Sequence, residues 1–278
     1  MTRGILTIAG LTLHEAARRR ILTAAFVCGL AFLALYATGM YFMAREFTQH
    51  NTSLIERRMF MTVLTLAGLY AVNFLTVMTA VLLPVDTLSG EIASGVMQTL
   101  VSKPVRRAEV VLGKWLAHVM LVAAYLLLMA GGVLVIARVI GGGMPPRVTT
   151  GVPLMLLEGA VLVSLSILGG TRLSTVTNGV FVFGLYGLAF IGGWVEQIGT
   201  IAGNGAARYV GTVASLIMPS EAMWQLAAHH MQPSIMRDLP VTPFSPVSVP
   251  SVAMVVWAAA YVLVVLSGAV LSFRKRGL

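Results

Sequence analysis

The sequence predicts an all-α, polytopic membrane protein with six transmembrane helices, and three observations lead there. Of its 278 residues 58% are hydrophobic and only 10% charged, with mean hydropathy +0.89. A soluble domain carries about 25% charged residues because its surface faces water. Apolar runs of about 20 residues, enough for a helix rising 1.5 Å per residue to cross a bilayer, recur six times. The charge balance is basic, 19 Lys and Arg against 10 Asp and Glu, and the basic residues gather between the runs. That pattern belongs to the positive-inside rule before nucleic acid.

The runs are Ile21–Met43, Thr62–Val85, Trp115–Ala137, Val152–Gly170, Gly179–Ile198 and Val252–Phe273. The first is too long for the apolar core of a signal peptide, about 7–15 residues. It offers no small-x-small cleavage site and reads as a retained anchor. The single cysteine, Cys28, lies inside it, so there is neither an internal disulfide nor a CxxC motif; it reads as a small apolar core residue. The fourth run carries Glu158. Ten Val, Leu and Ile residues from Val152 to Leu168 contribute about −3 to −6 kcal/mol to insertion, against about +2.5 to +3.5 for a central acid. Measured from Val152 the acid is off-centre, which lowers its cost.

Six crossings place both termini on one side. With that side cytoplasmic, the inside segments hold Arg3, Arg18, Arg19, Arg20, Lys103, Arg106, Arg107, Lys114, Arg172, Arg274, Lys275 and Arg276, 12 of the 19 basic residues. The other seven are spread over much longer outside loops. Charge density therefore predicts cytoplasmic termini.

Two regions are neither spans nor turns. Residues 5–17 place Ile5, Leu6, Ala9, Leu13, Ala16 and Ala17 on one helical stripe, opposite Thr7, His14 and Arg18. That is the pattern of a helix lying in the interface, held by Arg18, Arg19 and Arg20 at the headgroups. The alternative is a first membrane helix that starts early. The outside stretch 199–251 begins apolar and glycine-broken. It then predicts a helix over Ser220–His230, with Ser220 as N-cap and Glu221 in the first turn. Five prolines from Pro233 to Pro250 predict an irregular loop.

The most informative stretch is Asp86 to Lys114, between the second and third runs. A helix leaving the membrane breaks near Gly95, a short amphipathic piece runs from Val96 to Ser102, and Pro104 suits the first turn of the next helix. Glu109 falls in that helix's early turns and Lys114 near the membrane surface. A short crosswise helix held between two long ones transmits a push from a soluble partner as a loose loop does not. The patterns Gly90-Glu91, Ser94-Gly95, Leu100-Val101-Ser102-Lys103-Pro104-Val105 and Glu109-Val110-Val111-Leu112-Gly113-Lys114 resemble ABC transporter permeases of the type 2 exporter superfamily. Within it the chain resembles the single-module, six-span group that includes copper-enzyme-maturation permeases. The Leu13-His14-Glu15-Ala16-Ala17-Arg18-Arg19-Arg20 start looks like that family's interfacial elbow helix. Many relatives have Gly-Thr where this chain has Gly95-Val96, so a hydroxyl contact is absent.

The resemblance implies one transmembrane permease domain, residues 1–278, with an elbow at 1–20, a coupling segment at 86–114 and an extracytoplasmic region with short helices at 199–251. It implies that Glu91, Gly95, Val96, Met97, Gln98, Thr99 and Leu100 dock a separate ATP-binding cassette subunit, which would bind ATP and Mg. It also implies a second permease copy, identical or related, and a plasma-membrane location. The bland alternative for Glu91 is a solvated charge at a helix end. Arg106 and Arg107 read as topology determinants and headgroup contacts.

The chain itself carries no ATP-binding loop. Ala108 stands where the loop's first Gly would be, five before Gly113, and Trp115 replaces the Ser or Thr after Lys114. There is no HExxH and no pair of membrane aspartates, so the chain reads as a non-enzyme with no metal site or cofactor of its own. His229 and His230 are adjacent and point about 100° apart on a helix, which does not chelate one metal, although Met231 and Met236 stand nearby. Four polar residues within the runs, Asn73, Glu158, Asn178 and Glu196, are candidates for the bundle interior or the pathway. For Glu158 the expected structural role is a salt bridge, with Arg138 and Arg147 the nearest outside bases in sequence; the alternative is a place in the substrate route. The glycines of the fifth run permit close helix or subunit contact. Two other functions stay open: a secondary transporter or channel using an intramembrane acid, and a non-transporting membrane assembly factor.

Overall fold

The computed structural model describes residues 2–49, 53–97, 106–233 and 248–276, and every regular element among them is helical. Helix α1 spans Thr2–Ala17, α2 Arg20–Gln49, α3 Leu54–Leu82 and α4 Ser89–Ala93. Helix α5 covers Arg107–Ile136 and runs into a π turn, Ala137–Gly141; α6 covers Val148–Gly170 and α7 Thr175–Ile201. Helices α8 (Gly205–Ile217), α9 (Ser220–Met231) and α10 (Val252–Arg274) complete the order. Six of these, α2, α3, α5, α6, α7 and α10, are long and apolar enough to cross a membrane. They coincide with the six expected runs, and the protein is a multi-pass membrane protein.

The helix ends differ from the hydropathy boundaries because capping, not apolarity, sets them. Helix α3 starts at Leu54, where the Ser53 hydroxyl accepts the Glu56 N–H and Glu56 reaches back to the Ser53 N–H. Helix α5 starts at Arg107, with the Glu109 carboxylate accepting the Arg106 N–H at 3.2 Å. Pro104, expected in that helix's first turn, lies outside the described residues. Helix α6 begins at Val148, which sets Glu158 ten residues in, about 15 Å from the helix start. The acid is central in its span, not off-centre.

Helix α6 is the middle of the bundle, packed by α3, α5, α7, α9 and α10. Its sequence is apolar on every side, as a fully enclosed helix requires. Helix α2 lies at the edge and leaves Val27, Leu30, Leu35 and Phe42 exposed to the lipid side. Cys28 is exposed there too, so it is a lipid-side residue rather than a core one. Helix α1 packs along α5. Its inward residues are Ile8, Ala9, Thr12 and Ala16, while Leu6 and Leu11 face outward. The stripe drawn from periodicity is thus rotated. The cause is on α5: a Cβ at Gly113 would sit 2.8 Å from the Ile8 side chain, so that glycine makes room for Ile8.

Helices α8 and α9 form a hairpin in which α8 packs one face on α7 and leaves Tyr209, Val210 and Ile217 exposed, while α9 folds back into the bundle. Helix α8 runs antiparallel to α7 at close range: a Cβ on Gly199 would meet Ala207, and one on Gly192 would meet the Ala214 Cβ at 2.4 Å. The turn at Met218 and Pro219 then sends α9 back outward. Glu221 and Gln225 lie against Gly193 of α7, eight residues inside that helix's end, and Met231 reaches Gly151 near the start of α6. Ten of the twelve residues of α9 are buried, so it is a core element. Pro219, not Ser220, is its N-cap. Among the fifth-run glycines, Gly192 and Gly193 serve this packing, whereas Gly184 and Gly187 have open space where a side chain would go.

Candidate functional site

Two groups of polar residues stand out. The first lies at the end of the bundle that carries both termini. The chain leaves α3 through the turn 83–88 and enters α4, and every charge near that turn has a partner. Asp86 accepts from Arg19 at 3.2 Å and from the Thr175 hydroxyl at 2.9 Å. Arg19 also pairs with Glu15 at 2.6 Å. Burial alone would raise the Glu15 carboxyl, but the Arg19 hydrogen bond and charge outweigh it and hold it below the usual range. Gly90 is required by close approach, because a Cβ there would collide with the Asp86 carboxylate.

Glu91 pairs with Lys114 of α5; their side chains are 12% and 4% exposed. Neighbouring His118 is buried, its Nδ1 2.7 Å from the Lys114 carbonyl, which only accepts, so Nε2 is left to accept from Thr87 at 3.0 Å. Asn178 of α7 donates to the Val85 and Ser166 carbonyls at 3.1 and 2.9 Å. Arg107 donates to the carbonyls of Arg274 and Arg276 at the end of α10, at 3.0 and 2.7 Å. The α4 turn is therefore bolted to α1, α5 and α7. Its tip is not: Ala93, Ser94 and Val96 are exposed, Val96 by 54%. Gly95, with φ +76°, makes the left-handed bend that turns them outward.

The second group lies mid-bundle, where α3, α6, α7 and α9 meet. Glu158 is fully buried and neither carboxylate oxygen has a hydrogen-bond partner. Asn73 of α3 is the polar side chain beside it, and its Oδ1 is also buried and unpartnered. Glu221, at the start of α9, is a second buried carboxyl within electrostatic reach of Glu158. Burial pushes the Glu221 group up to about 8, opposed by a hydrogen bond from Gln225. Tyr70 and Tyr186 feel both acids, and Trp224 packs edge-on against Tyr70 at 5.5 Å. Among the described residues no basic side chain acts on either carboxyl. The expected salt bridge of Glu158 with Arg138 or Arg147 is thus absent. Arg147 precedes α6, eleven residues or about 16 Å from Glu158 along that helix, and Arg138 is in the π turn that ends α5.

With the geometry in place, comparison with known families decides the assignment. The model of the ABC-2 family transporter protein matches residues 6–278, nearly the whole chain. The chain belongs to the ABC-2 family. It is a permease component of an ABC transporter, the transmembrane part and not the ATPase. No curated protein matches the permease.

The structure distributes the permease's sequence-derived candidates unevenly. Glu91, Gly95, Val96 and Met97 come together at the α4 tip, but Glu91 faces inward and Met97 is fully buried; Gln98, Thr99 and Leu100 lie outside the described residues. Of the five arginines assigned to headgroups, Arg18, Arg20 and Arg106 are exposed. Arg19 and Arg107 instead spend their donors inside the permease. Asn73, Glu158 and Asn178 are buried, and only the first two share a site; Glu196 is half-buried and accepts from Ser248 at the opposite end. His229 and His230 stack edge-on with centroids 5.9 Å apart. Among the described residues no three His, Cys, Asp or Glu side chains are placed to share a metal, and Met236 lies outside them. Glu221 is the residue that sequence reasoning missed. Its helix-start position looked like a capping charge, and the available signal was a short apolar helix too brief to span yet too buried for a loop.

Proposed function

We propose that two copies of this permease, or this chain and a relative, form a translocation pathway driven by separate ATP-binding subunits on the cytoplasmic side. Both termini and the α4 turn face that side, in the plasma membrane, and transport runs outward. The partner binds ATP and Mg; this chain supplies the pathway and the lever. The observation that carries the reading is the contrast within one short segment. The tip at Ala93, Ser94 and Val96 is exposed, while its base at Asp86, Gly90 and Glu91 is fixed to α1, α5 and α7. An apolar, outward tip on a rigid base takes a push from a docked ATPase and passes it to three helices together. Helix α1 then serves as the interfacial elbow, moving with α5 because Gly4 and Gly113 let the two pack closely. Glu91 acts from inside, as the bolt of the segment, rather than as a docking charge.

The test is co-expression with the ATPase of the same operon and measurement of ATPase retained per permease. Val96→Asp puts an unpaired charge into the docking face and should sharply reduce retention. Thr48→Asp, the same charge at the opposite end, should not. Equal retention for the two moves docking away from the α4 tip. A reporter active only outside the cytoplasm should be silent after Leu278 and active in the turn 142–147. A secondary transporter is the second reading, favoured by the unpaired burial of Glu158; recovery of the pure chain without any ATPase, with full transport, would select it.

A further inference from the structure

We infer that Asn73, Glu158 and Glu221 form a binding site for a small hard cation, between α3, α6 and the tip of the α8–α9 hairpin. The site stands whether or not the α4 tip docks an ATPase, since it lies on other residues at mid-depth. Its donors are all oxygen: two carboxylates and the Asn73 amide oxygen. Such a set suits Na⁺, Mg²⁺ or Ca²⁺ and not a soft metal. Ser220, at the same helix start, adds a buried hydroxyl without a hydrogen-bond partner.

Sign and burial decide the ligand. Among the described residues the groups facing the two acids are Asn73 and Tyr70 from α3, Tyr186 from α7 and Gln225 from α9, all neutral. The α9 N-terminus adds about half a positive charge, against two carboxylates. An isolated carboxylate in an apolar interior is strongly disfavoured unless something positive shares its place. Both Glu158 oxygens and the Asn73 Oδ1 are buried without a hydrogen-bond partner, Asn73 is the polar neighbour that acts on Glu158, and a cation held between α3 and α6 would satisfy these oxygens. Because Glu221 rides on the hairpin and Glu158 on the central helix, an ion between them ties the two elements together.

The experiment uses the full chain in lipid nanodiscs and follows its thermal unfolding midpoint. NaCl, MgCl₂ and CaCl₂ are titrated separately against choline chloride at constant ionic strength. The expected result is a saturable rise with one of these cations and none with choline. Glu158→Gln and Glu221→Gln should each weaken the apparent affinity at least about tenfold, as loss of a buried charge partner implies. Glu56→Gln, an exposed acid at the start of α3, should leave it unchanged. Trp224 fluorescence offers a second readout, since its ring is next to the site. Two results overturn the inference: a midpoint shift that survives in both Gln variants, which puts the ion elsewhere, or a midpoint raised by lowering the pH and indifferent to every cation, which makes the pair a proton carrier only. Neither result bears on ATPase retention, so the coupling reading stands or falls separately.

Discussion

The two polar groups of this permease solve the same problem in opposite ways. At the end carrying the termini, Glu91 has Lys114, Asp86 has Arg19, and Arg107 has the carbonyls of α10. At mid-bundle, Glu158 and Glu221 lie near one another with no base among their described neighbours. Charges that neutralise one another inside a chain lock helices together and need nothing else. Charges that do not are held ready for something that arrives. On the readings proposed above, the difference separates a lever from a receptacle.

The largest effect should come from breaking the lever. Lys114→Met leaves Glu91 nearly enclosed without its cation, at a cost of about 3 kcal/mol or more, and the unfolding midpoint should fall accordingly. Lys114→Met combined with Glu91→Leu should recover most of the loss. If the double variant is no better than the single, the pair is not what bolts the α4 turn. Next in size is the support of the receptacle. Gly192→Val drives a side chain into Ala214 and should cost about 1–3 kcal/mol, whereas Gly184→Ala, facing open space, should be neutral or gain a little. Equal losses would mean that the hairpin does not need its close approach to α7.

The sharpest contrast with Lys114 is Glu158→Gln. In choline medium it replaces an uncompensated buried acid with a neutral isostere and should be neutral or stabilising, by up to about 1 kcal/mol. A loss as large as that of Lys114→Met would erase the distinction drawn between the two regions. The smallest effect concerns Glu15, whose carboxyl is held below its usual range by Arg19. A depressed carboxyl contributes its stability above the ordinary carboxylate range and loses it as pH falls through the depressed value. Both partners are part-exposed, so the contribution stays below about 1 kcal/mol. Protection factors of α1 amides, which correct for the pH dependence of intrinsic exchange, should fall slightly in acid, and Glu15→Gln should remove that change.

The spans were legible because a bilayer imposes one blunt requirement, a long apolar run, and each run meets it. Gly95 was legible as a break because only glycine takes a left-handed bend cheaply, and its φ is +76°. What escaped was everything decided by a partner. The inward face of α1 depends on Gly113, far along the chain, and no periodicity within residues 5–17 contains it. Glu91 and Lys114 both stood in the sequence as surface charges, and only the meeting of α4 with α5 makes them a pair. Glu158 was placed off-centre because hydropathy starts its helix at Val152, while the fold starts it at Val148. Glu221 was read only as a favourable first-turn charge for a related reason: a hairpin that enters a bundle without crossing it leaves no 20-residue signature.

That hairpin also dictates an order of assembly. Helix α9 is sealed by α3, α6, α7 and α10, yet α10 is the last of these to be synthesised. Helices α8 and α9, 13 and 12 residues long and broken at Pro219, are each too short to be recognised as a span. In the proposed orientation, with both termini cytoplasmic, they first pass across the membrane behind α7 and are then drawn back between helices already in place. Only the arrival of α10 closes the bundle over them. A ribosome stalled before Val252 would therefore hold a chain whose five spans are inserted but whose centre is still open, a state in which Glu158 is reachable from the translocated side by reagents that the finished protein excludes.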